Sequence, residues 1–340
     1  MRRLVVIICL GMAVALAGTG SPGVGAAGGD APEGGGAGDD LRVVNFNVLH
    51  GVICPDDSDG CQLPDRMELL GRRLEEARCP EVVGLQEVSK LVYDAIKEQP
   101  FIEQCDYEIV FPRPKAIDQE VVLTSLEVKK TKVVKMAVGF RTASRVQLES
   151  DVGPVVLVVT HQDGDVAPGE PGAGATCTAR ACPEICEPGS PLLGCQTTVA
   201  ADLAEKVGRR KAIRILMGDF NVTPASDRYR GLVDDGWVDS HLAAGNPECD
   251  SATGVGCTSG RRDDRVDDLK DPNSRQVERI DFMFVKTPTA CSVAFDPDAD
   301  ADGDGIGTGI WDDPVADGPG GMVFVSDHSA TSFDLSCEDT

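Results

Sequence analysis

From residue 41 onward, short apolar runs alternate with polar breaks. Residues 41–48 alternate apolar and polar positions, which predicts a strand, and contain Asn45-Phe46-Asn47. Residues 66–77 place Met67, Leu70 and Leu74 on one helical face. Residues 81–85 form a short buried strand that stops at Gln86-Glu87, and residues 90–96 read as a helix. Runs at 107–111, 121–124, 133–140 and 155–160 are rich in Val, Ile, Phe and Thr and predict strands. Residues 196–207 carry Val199, Leu203 and Val207 at helical spacing. Strands are predicted again at 213–217, 279–285 and 322–325. The first of these stops at Gly218-Asp219-Phe220-Asn221 and the last runs into Ser326-Asp327-His328. Three Gly-, Pro-, Asp- or Cys-rich stretches, about 163–195, 242–275 and 292–320, read as loop insertions. There is no internal repeat.

The N-terminus has a different pattern. Arg2 and Arg3 precede an apolar run from Leu4 to Leu16, followed by small residues with cleavage sites after Ala17 or Ala26. This predicts a signal peptide over residues 1–26, a Gly/Ala-rich disordered leader over 27–40 and one domain over 41–340. The rival reading is an uncleaved anchor, but the run is too short to span a bilayer. The expected location is secreted or extracellular, or periplasmic.

Cysteine usage agrees. Of 13 cysteines, Cys9 lies in the signal, and the remaining even number forms local groups. These are Cys54/Cys61, Cys79/Cys105, Cys177/Cys182/Cys186/Cys195, Cys249/Cys257 and Cys291/Cys337. An even set in an exported chain predicts disulfides. Zinc at the four-cysteine cluster is the alternative, although its spacing repeats no Cys-x-x-Cys knuckle. The net charge of −24 argues against a broad basic face for gripping long nucleic acid. It leaves room for a small phosphate-cleaving site, because a bound cation reverses the local field.

The chemistry gathers where apolar runs stop. Asn45, Asn47, Glu87, His161, Asp219, Asn221, Asp281, Asp327 and His328 all lie beside strand runs. Strand ends of a packed sheet core bring distant residues to one rim. Oxygen donors with few nitrogens suit a hard cation such as Mg²⁺.

Six segments carry a family resemblance: Asn45-Phe46-Asn47, Gly84-Leu85-Gln86-Glu87-Val88, Val159-Thr160-His161, Gly218-Asp219-Phe220-Asn221, Arg279-Ile280-Asp281-Phe282 and Ser326-Asp327-His328. Their order resembles the motif order of the endonuclease/exonuclease/phosphatase superfamily, which includes deoxyribonuclease I, apurinic endonucleases, bacterial sphingomyelinases and inositol polyphosphate phosphatases. The match spans residues 41–337. The resemblance implies an α/β (α+β) four-layer sandwich, with two mostly antiparallel sheets flanked by helices. It implies Glu87, assisted by Asn47 and Asp327, as metal ligands for Mg²⁺ or Mn²⁺. It implies that Asp219 and Asn221 orient the attacking water, that His328 oriented by Asp281 acts on the scissile phosphate, and that His161 contacts a phosphate oxygen. Either Asp219 or His328 is the base. Deoxyribonuclease-like relatives carry a further catalytic Glu near Gln119-Glu120-Val121, which makes Glu120 a candidate.

Other residues carry less. His241 has no partner motif and reads as structural; His50 lies just beyond Asn47 and is unassigned. Arg66 and Gln196 sit at helix starts and could reach the site, although capping or exposure is the plainer reading. Lys129, Lys130, Lys132 and Lys135 form a basic run that reads either as a patch steering a phosphate substrate or headgroup or, the plainer reading, as a solvated hairpin face. Asp300, Asp302 and Asp304 resemble half of a Ca²⁺ loop, and read either as a structural Ca²⁺ site or as an acidic solvated loop.

The expected function is exported, divalent-metal-dependent phosphodiester hydrolysis, with nucleic acid first and a phospholipid headgroup such as sphingomyelin's second. Aromatic residues make up only 4%, which favours neither base stacking nor membrane insertion. The alternative of a different class is a catalytically idle extracellular binding module, against which the intact acid and histidine set weighs. No stable protein partner is implied, and a monomer is expected.

Overall fold

The computed structural model describes residues 40–50, 59–110, 118–136, 141–164, 174–178, 182–207, 211–261, 266–288, 292–295 and 308–338. The predicted signal (1–26), the leader up to residue 39 and the Asp300, Asp302 and Asp304 loop lie outside these residues. Asp40, expected in the leader, opens the first strand.

Two sheets form the centre. The first contains β1 (Asp40–Asn47), β2 (Val82–Gln86), β3 (Glu108–Val110), β4 (Val121–Thr124), β11 (Ser292–Phe295), β12 (Gly309–Trp311) and β13 (Ala330–Glu338). Its order is β11-β13-β1-β2-β4-β3, with β12 also paired to β13. The second contains β5 (Glu127–Lys135), β6 (Thr142–Ser150), β7 (Gly153–His161), β8 (Ile213–Asp219), β9 (Val238–Asp239) and β10 (Asp281–Lys286), in the order β5-β6-β7-β8-β10-β9. One neighbouring pair in each sheet is parallel, β1 with β2 and β7 with β8; the other pairs are antiparallel.

The sheets pack face to face. Val43, Val82 and Leu335 of one meet Leu157, Ile215 and Met283 of the other in one apolar cluster. Gly84 is required for this approach, since a Cβ there would lie 2.0 Å from Met217 Cε on the facing sheet. On the outer face of the first sheet, α1 (Asp59–Glu76), α2 (Lys90–Lys97) and α3 (Phe101–Gln104) bury Met67, Leu70, Leu74, Val92 and Phe101. On the second, α4 (Leu192–Glu205) and α5 (Asp227–Asp234) bury Val199, Leu203, Tyr229 and Leu232. Two short helices, α6 (Ser240–Ala243) and α7 (Val266–Lys270), sit in the connections. The layers are helix, sheet, sheet, helix, as the family resemblance implies.

Three sequence expectations need correction. The stretch 292–320, read as a loop insertion, carries the sheet strands β11 and β12. Residues 322–325 are not a strand. Their apolar side chains are buried or half-buried, but Val323 and Phe324 both donate backbone hydrogen bonds to Leu269 O, which replaces a ladder with a loop contact. The strand lies beyond the histidine, as β13, where Ser, Thr and Asp dilute an alternation that points Phe333 and Leu335 into the core. The strand expected at 133–140 is β5, displaced toward the N-terminus, and 137–140 lie outside the described residues. Its four lysines are exposed.

The cysteine groups close as disulfides Cys79–Cys105, Cys177–Cys182, Cys186–Cys195 and Cys249–Cys257. Cys61 and Cys337 are also disulfide-bonded. The four-cysteine cluster is therefore two bridges rather than a zinc knuckle. Among the described residues no helix is long and apolar enough to cross a membrane.

Candidate active site

Strand register explains how the residues converge. Parallel pairing of β1 with β2 sets Asn47 beside Gln86, so Glu87 follows at the same edge. Parallel pairing of β7 with β8 sets His161 beside Asp219. The antiparallel β10 places its first residue, Asp281, opposite Asp219 on the other side. Antiparallel pairing of β13 with β1 brings the start of β13, and His328 just before it, to the edge where β1 ends. Both sheets thus deliver their polar residues to one rim.

The turns at this rim are unusual. Glu87 and Asn221 have φ of 60° and 51°, in the left-handed region that few non-glycine residues adopt. Gly218 has φ of 151°, and a Cβ there would lie 1.8 Å from Thr160 O, so the β7–β8 approach needs glycine beside Asp219. Strain of this kind persists where the surrounding structure holds it.

Asp219 is the centre. Its Oδ1 accepts the Asn221 N–H at 2.8 Å, and its Oδ2 accepts Asn47 Nδ2 at 3.1 Å. The same oxygen lies 3.4 Å from His161 Nε2 and 3.9 Å from His328 Nε2. Burial, together with the nearby Asp281 charge, raises its pKa above the ordinary carboxylate value. Each imidazole has a carboxylate behind it. His328 Nδ1 lies 2.8 Å from Asp281 Oδ2, and His161 Nδ1 lies 3.3 Å from Asp118 Oδ2. Burial alone would lower the His328 pKa, but the attraction of Asp281, with Asp327 and Asp219 behind it, holds it well above 6.5. His161 is raised in the same way, by Asp219 and Asp118 against burial.

Asn47 Nδ2 also donates to Glu87 Oε1 at 3.1 Å, while Glu87 Oε2 accepts the His50 N–H at 3.0 Å. Burial would raise the Glu87 pKa; His161, His50 and that N–H outweigh it and hold the carboxyl below its ordinary range. Asp327 takes the Ser326 hydroxyl at 2.9 Å, and its carbonyl accepts Gln276 Nε2 at 2.8 Å. Asn45 lies inside the core, where Gln86 Nε2 donates to its Oδ1 at 2.8 Å, beneath the rim. Asn221 Nδ2 donates to Gln162 O at 2.9 Å.

The donor set fits a hard divalent cation. Glu87 and Asp327 offer carboxylate oxygens and Asn47 an amide oxygen at this rim, where the Asn47 N–H₂ already bridges Glu87 and Asp219, and Asp281 Oδ1 and Asp118 Oδ1 are buried without a hydrogen-bond partner among the described residues. Carboxylates are in excess over the cationic groups there, and hard oxygen ligands of this type suit Mg²⁺ or Mn²⁺. Asp219, Asp281 and His328 also bring ligand atoms within 4.8 Å of one another. The short Asp281–His328 hydrogen bond commits those two atoms to each other.

Several residues were missed or misjudged from sequence. The carboxylate behind His161 is Asp118, which no sequence motif singles out. Glu120 is fully buried, hydrogen-bonded by Thr142 and by Ser144 at 3.3 Å, and pushed up to about 7 by burial. Arg141 Nη1 lies 2.7 Å from both Asp118 Oδ2 and His161 Nδ1, and its Nε donates to Asp163 at 2.8 Å. Gln196, expected exposed or capping, is buried and grips Asp163 through two hydrogen bonds of 2.8 Å. Arg66, read in the same way, is buried too and holds four backbone carbonyls. His241 is structural, with Nε2 2.9 Å from Pro247 O. The missed signal lies in strand starts: in antiparallel strands the residue that precedes the run, as Asp118 precedes β4, sits on the same rim as residues that follow a partner strand.

A two-sheet sandwich with a buried Asp/Asp/His group at its rim defines a phosphoesterase-like fold. Residues 44–328 match the Endonuclease/Exonuclease/phosphatase family, and the chain belongs to that family. The family is divalent-metal dependent. Truncated TDP2 of Caenorhabditis elegans is 17% identical, with a TM-score of 0.56, covering 87% of this chain and 97% of that one. An endonuclease/exonuclease/phosphatase from Bacteroides vulgatus is 19% identical, with a TM-score of 0.56, covering 88% and 99%. The mannosyl-6-phosphatase of Bacteroides thetaiotaomicron is 16% identical, with a TM-score of 0.57, covering 87% and 99%. These likenesses establish the fold. Comparison with curated protein sequences gives no significant match.

Proposed function

We infer that this protein is an exported, divalent-cation-dependent phosphodiester hydrolase with nucleic acid as its first substrate. The observation that carries the reading is Asp219, placed between two imidazoles that each have a carboxylate behind them. In this reading Glu87 and Asn47, with Asp327, hold the cation. Bound there, Mg²⁺ or Mn²⁺ would offset charge on the phosphoryl oxygens. His328, kept protonated by Asp281, donates to the phosphate or the leaving oxygen, and His161 donates to a second phosphate oxygen. Asp219, with its raised pKa, takes the proton of a water that Asn221 helps to orient.

Export is supported by the disulfides, which persist in oxidising compartments. Nucleic acid is supported by the like fold of Danio rerio TDP2, which was solved with a single-strand DNA product at 14% identity and a TM-score of 0.56. A phospholipid headgroup is the second reading. What supports it is Val277, an apolar residue 47% exposed, whose backbone N–H donates to Ser259, the residue that bridges to His328.

The test is a metal-supplemented panel of plasmid DNA, RNA, sphingomyelin, phosphatidylcholine and inositol phosphates. Nucleic-acid cleavage that requires Mg²⁺ or Mn²⁺ supports the first reading. Turnover confined to the two phospholipids replaces it with the second, and no turnover of any of them overturns both.

A further inference from the structure

His50 stands beside Glu87 in a way that serves no role described so far. Strand β1 ends at Asn47, and the chain then turns through Leu49, whose φ of 56° is left-handed. Asn47 Oδ1 accepts the Leu49 N–H at 3.1 Å, Glu87 Oε2 accepts the His50 N–H at 3.0 Å, and Ser89 Oγ donates to His50 O at 3.1 Å. Two side chains, Glu87 and Ser89, therefore fix the backbone of His50, and Asn47 holds the strained leucine before it. An observed outlier of this kind invites a functional explanation.

The result is a ring nitrogen, His50 Nε2, 3.8 Å from Glu87 Oε2. That gap is too long for a hydrogen bond. It is within reach of one shared cation, because two bonds of about 2.1 Å span up to about 4.2 Å. Both side chains keep part of their surface open, 20% for His50 and 16% for Glu87, so the pair lies at the surface rather than in the core. An imidazole changes the character of an oxygen site. Mg²⁺ takes oxygen donors and keeps its waters, whereas imidazole nitrogen favours first-row transition ions.

We propose that His50 is a nitrogen ligand to the cation held by Glu87, and that it selects Mn²⁺ over Mg²⁺. The inference rests on the reading of Glu87 as a metal ligand. The ring, rather than the backbone, carries the selectivity. Its removal leaves the bonds from Glu87 and Ser89 to the His50 main chain in place, so the turn survives substitution.

The experiment uses the metal alone. Mn²⁺ and Mg²⁺ affinities are measured by calorimetry on wild type, His50→Ala, His50→Gln and Glu87→Gln, each checked for fold by circular dichroism. Pulsed paramagnetic resonance of the Mn²⁺-bound proteins reads directly bonded imidazole nitrogen. The expected result is an imidazole signal in wild type that falls in both His50 variants. Mn²⁺ affinity should drop about tenfold or more while Mg²⁺ affinity changes less than about twofold. Equal loss of both affinities, or an unchanged nitrogen signal, overturns the proposal. If Glu87→Gln loses the metal and the His50 variants do not, His50 alone is refuted. If Glu87→Gln binds Mn²⁺ as wild type does, the reading of the metal site fails.

Discussion

His328 Nδ1 lies 2.8 Å from Asp281 Oδ2, and this one contact sets the charge of the ring that faces Asp219. Burial works against an imidazolium here, so Asp281 must outweigh it. In Asp281→Asn the attraction goes and the burial stays, so His328 loses its proton at lower pH. Steps that need the imidazolium then fail earlier on the alkaline side. The alkaline limb of the pH–rate profile should move down, and the rate near neutrality should fall about a hundredfold.

The same pair has a stability signature. A histidine with a raised folded pKa contributes fully below its ordinary value of 6.5, and that contribution is lost as pH rises through the folded value. Asp281→Asn should therefore cost more stability at about pH 5 than at about pH 9. Denaturant melts at the two values check the sign.

Asp219 behaves in the opposite sense. Its pKa is raised by burial and by Asp281, so the ionised carboxylate destabilises the fold once pH exceeds its ordinary 3.8. Asp219→Asn should lower turnover by at least about a hundredfold and leave the melting temperature equal or higher. A folded variant with near wild-type turnover would remove Asp219 from the mechanism.

Much of this site is legible in the sequence because parallel strands end together. Asn47, Glu87, His161 and Asp219 follow apolar runs on two parallel pairs, and the runs announce them. Asp118 was hidden because it precedes its strand, and nothing local distinguishes an acid before a run from a solvated one. β13 was hidden because Ser, Thr and Asp weaken its alternation, although Phe333 and Leu335 are fully buried. Arg66 and Gln196 were misjudged for a related reason. Propensity expects charged and amide groups at helix starts to face water, and only tertiary contact shows that carbonyls and Asp163 have claimed them.

Arg66 joins two turns of the site. Its guanidinium donates to Val48 O at 2.7 Å and Leu49 O at 3.2 Å beyond β1, and to Val325 O at 3.2 Å before Asp327. Burial draws its pKa down to about 10, still charged at neutral pH. Arg66→Met leaves those buried carbonyls unsatisfied and should cost roughly 3 kcal/mol. Thermal melts measure the loss; a variant as stable as wild type would show that the carbonyls find other partners.

The central claim is that Glu87 anchors a catalytic divalent cation. Glu87→Gln keeps the side-chain shape and the neighbouring Asn47, but removes the charge. The decisive measurement is the initial rate against added Mg²⁺ or Mn²⁺ after exhaustive chelation, for wild type and Glu87→Gln on the best substrate of the panel. Wild type should be silent in chelator and recover on metal addition, and the variant should need far more metal to reach a lower rate. Undiminished activity in chelator, or a variant with the wild-type metal dependence, would contradict the account.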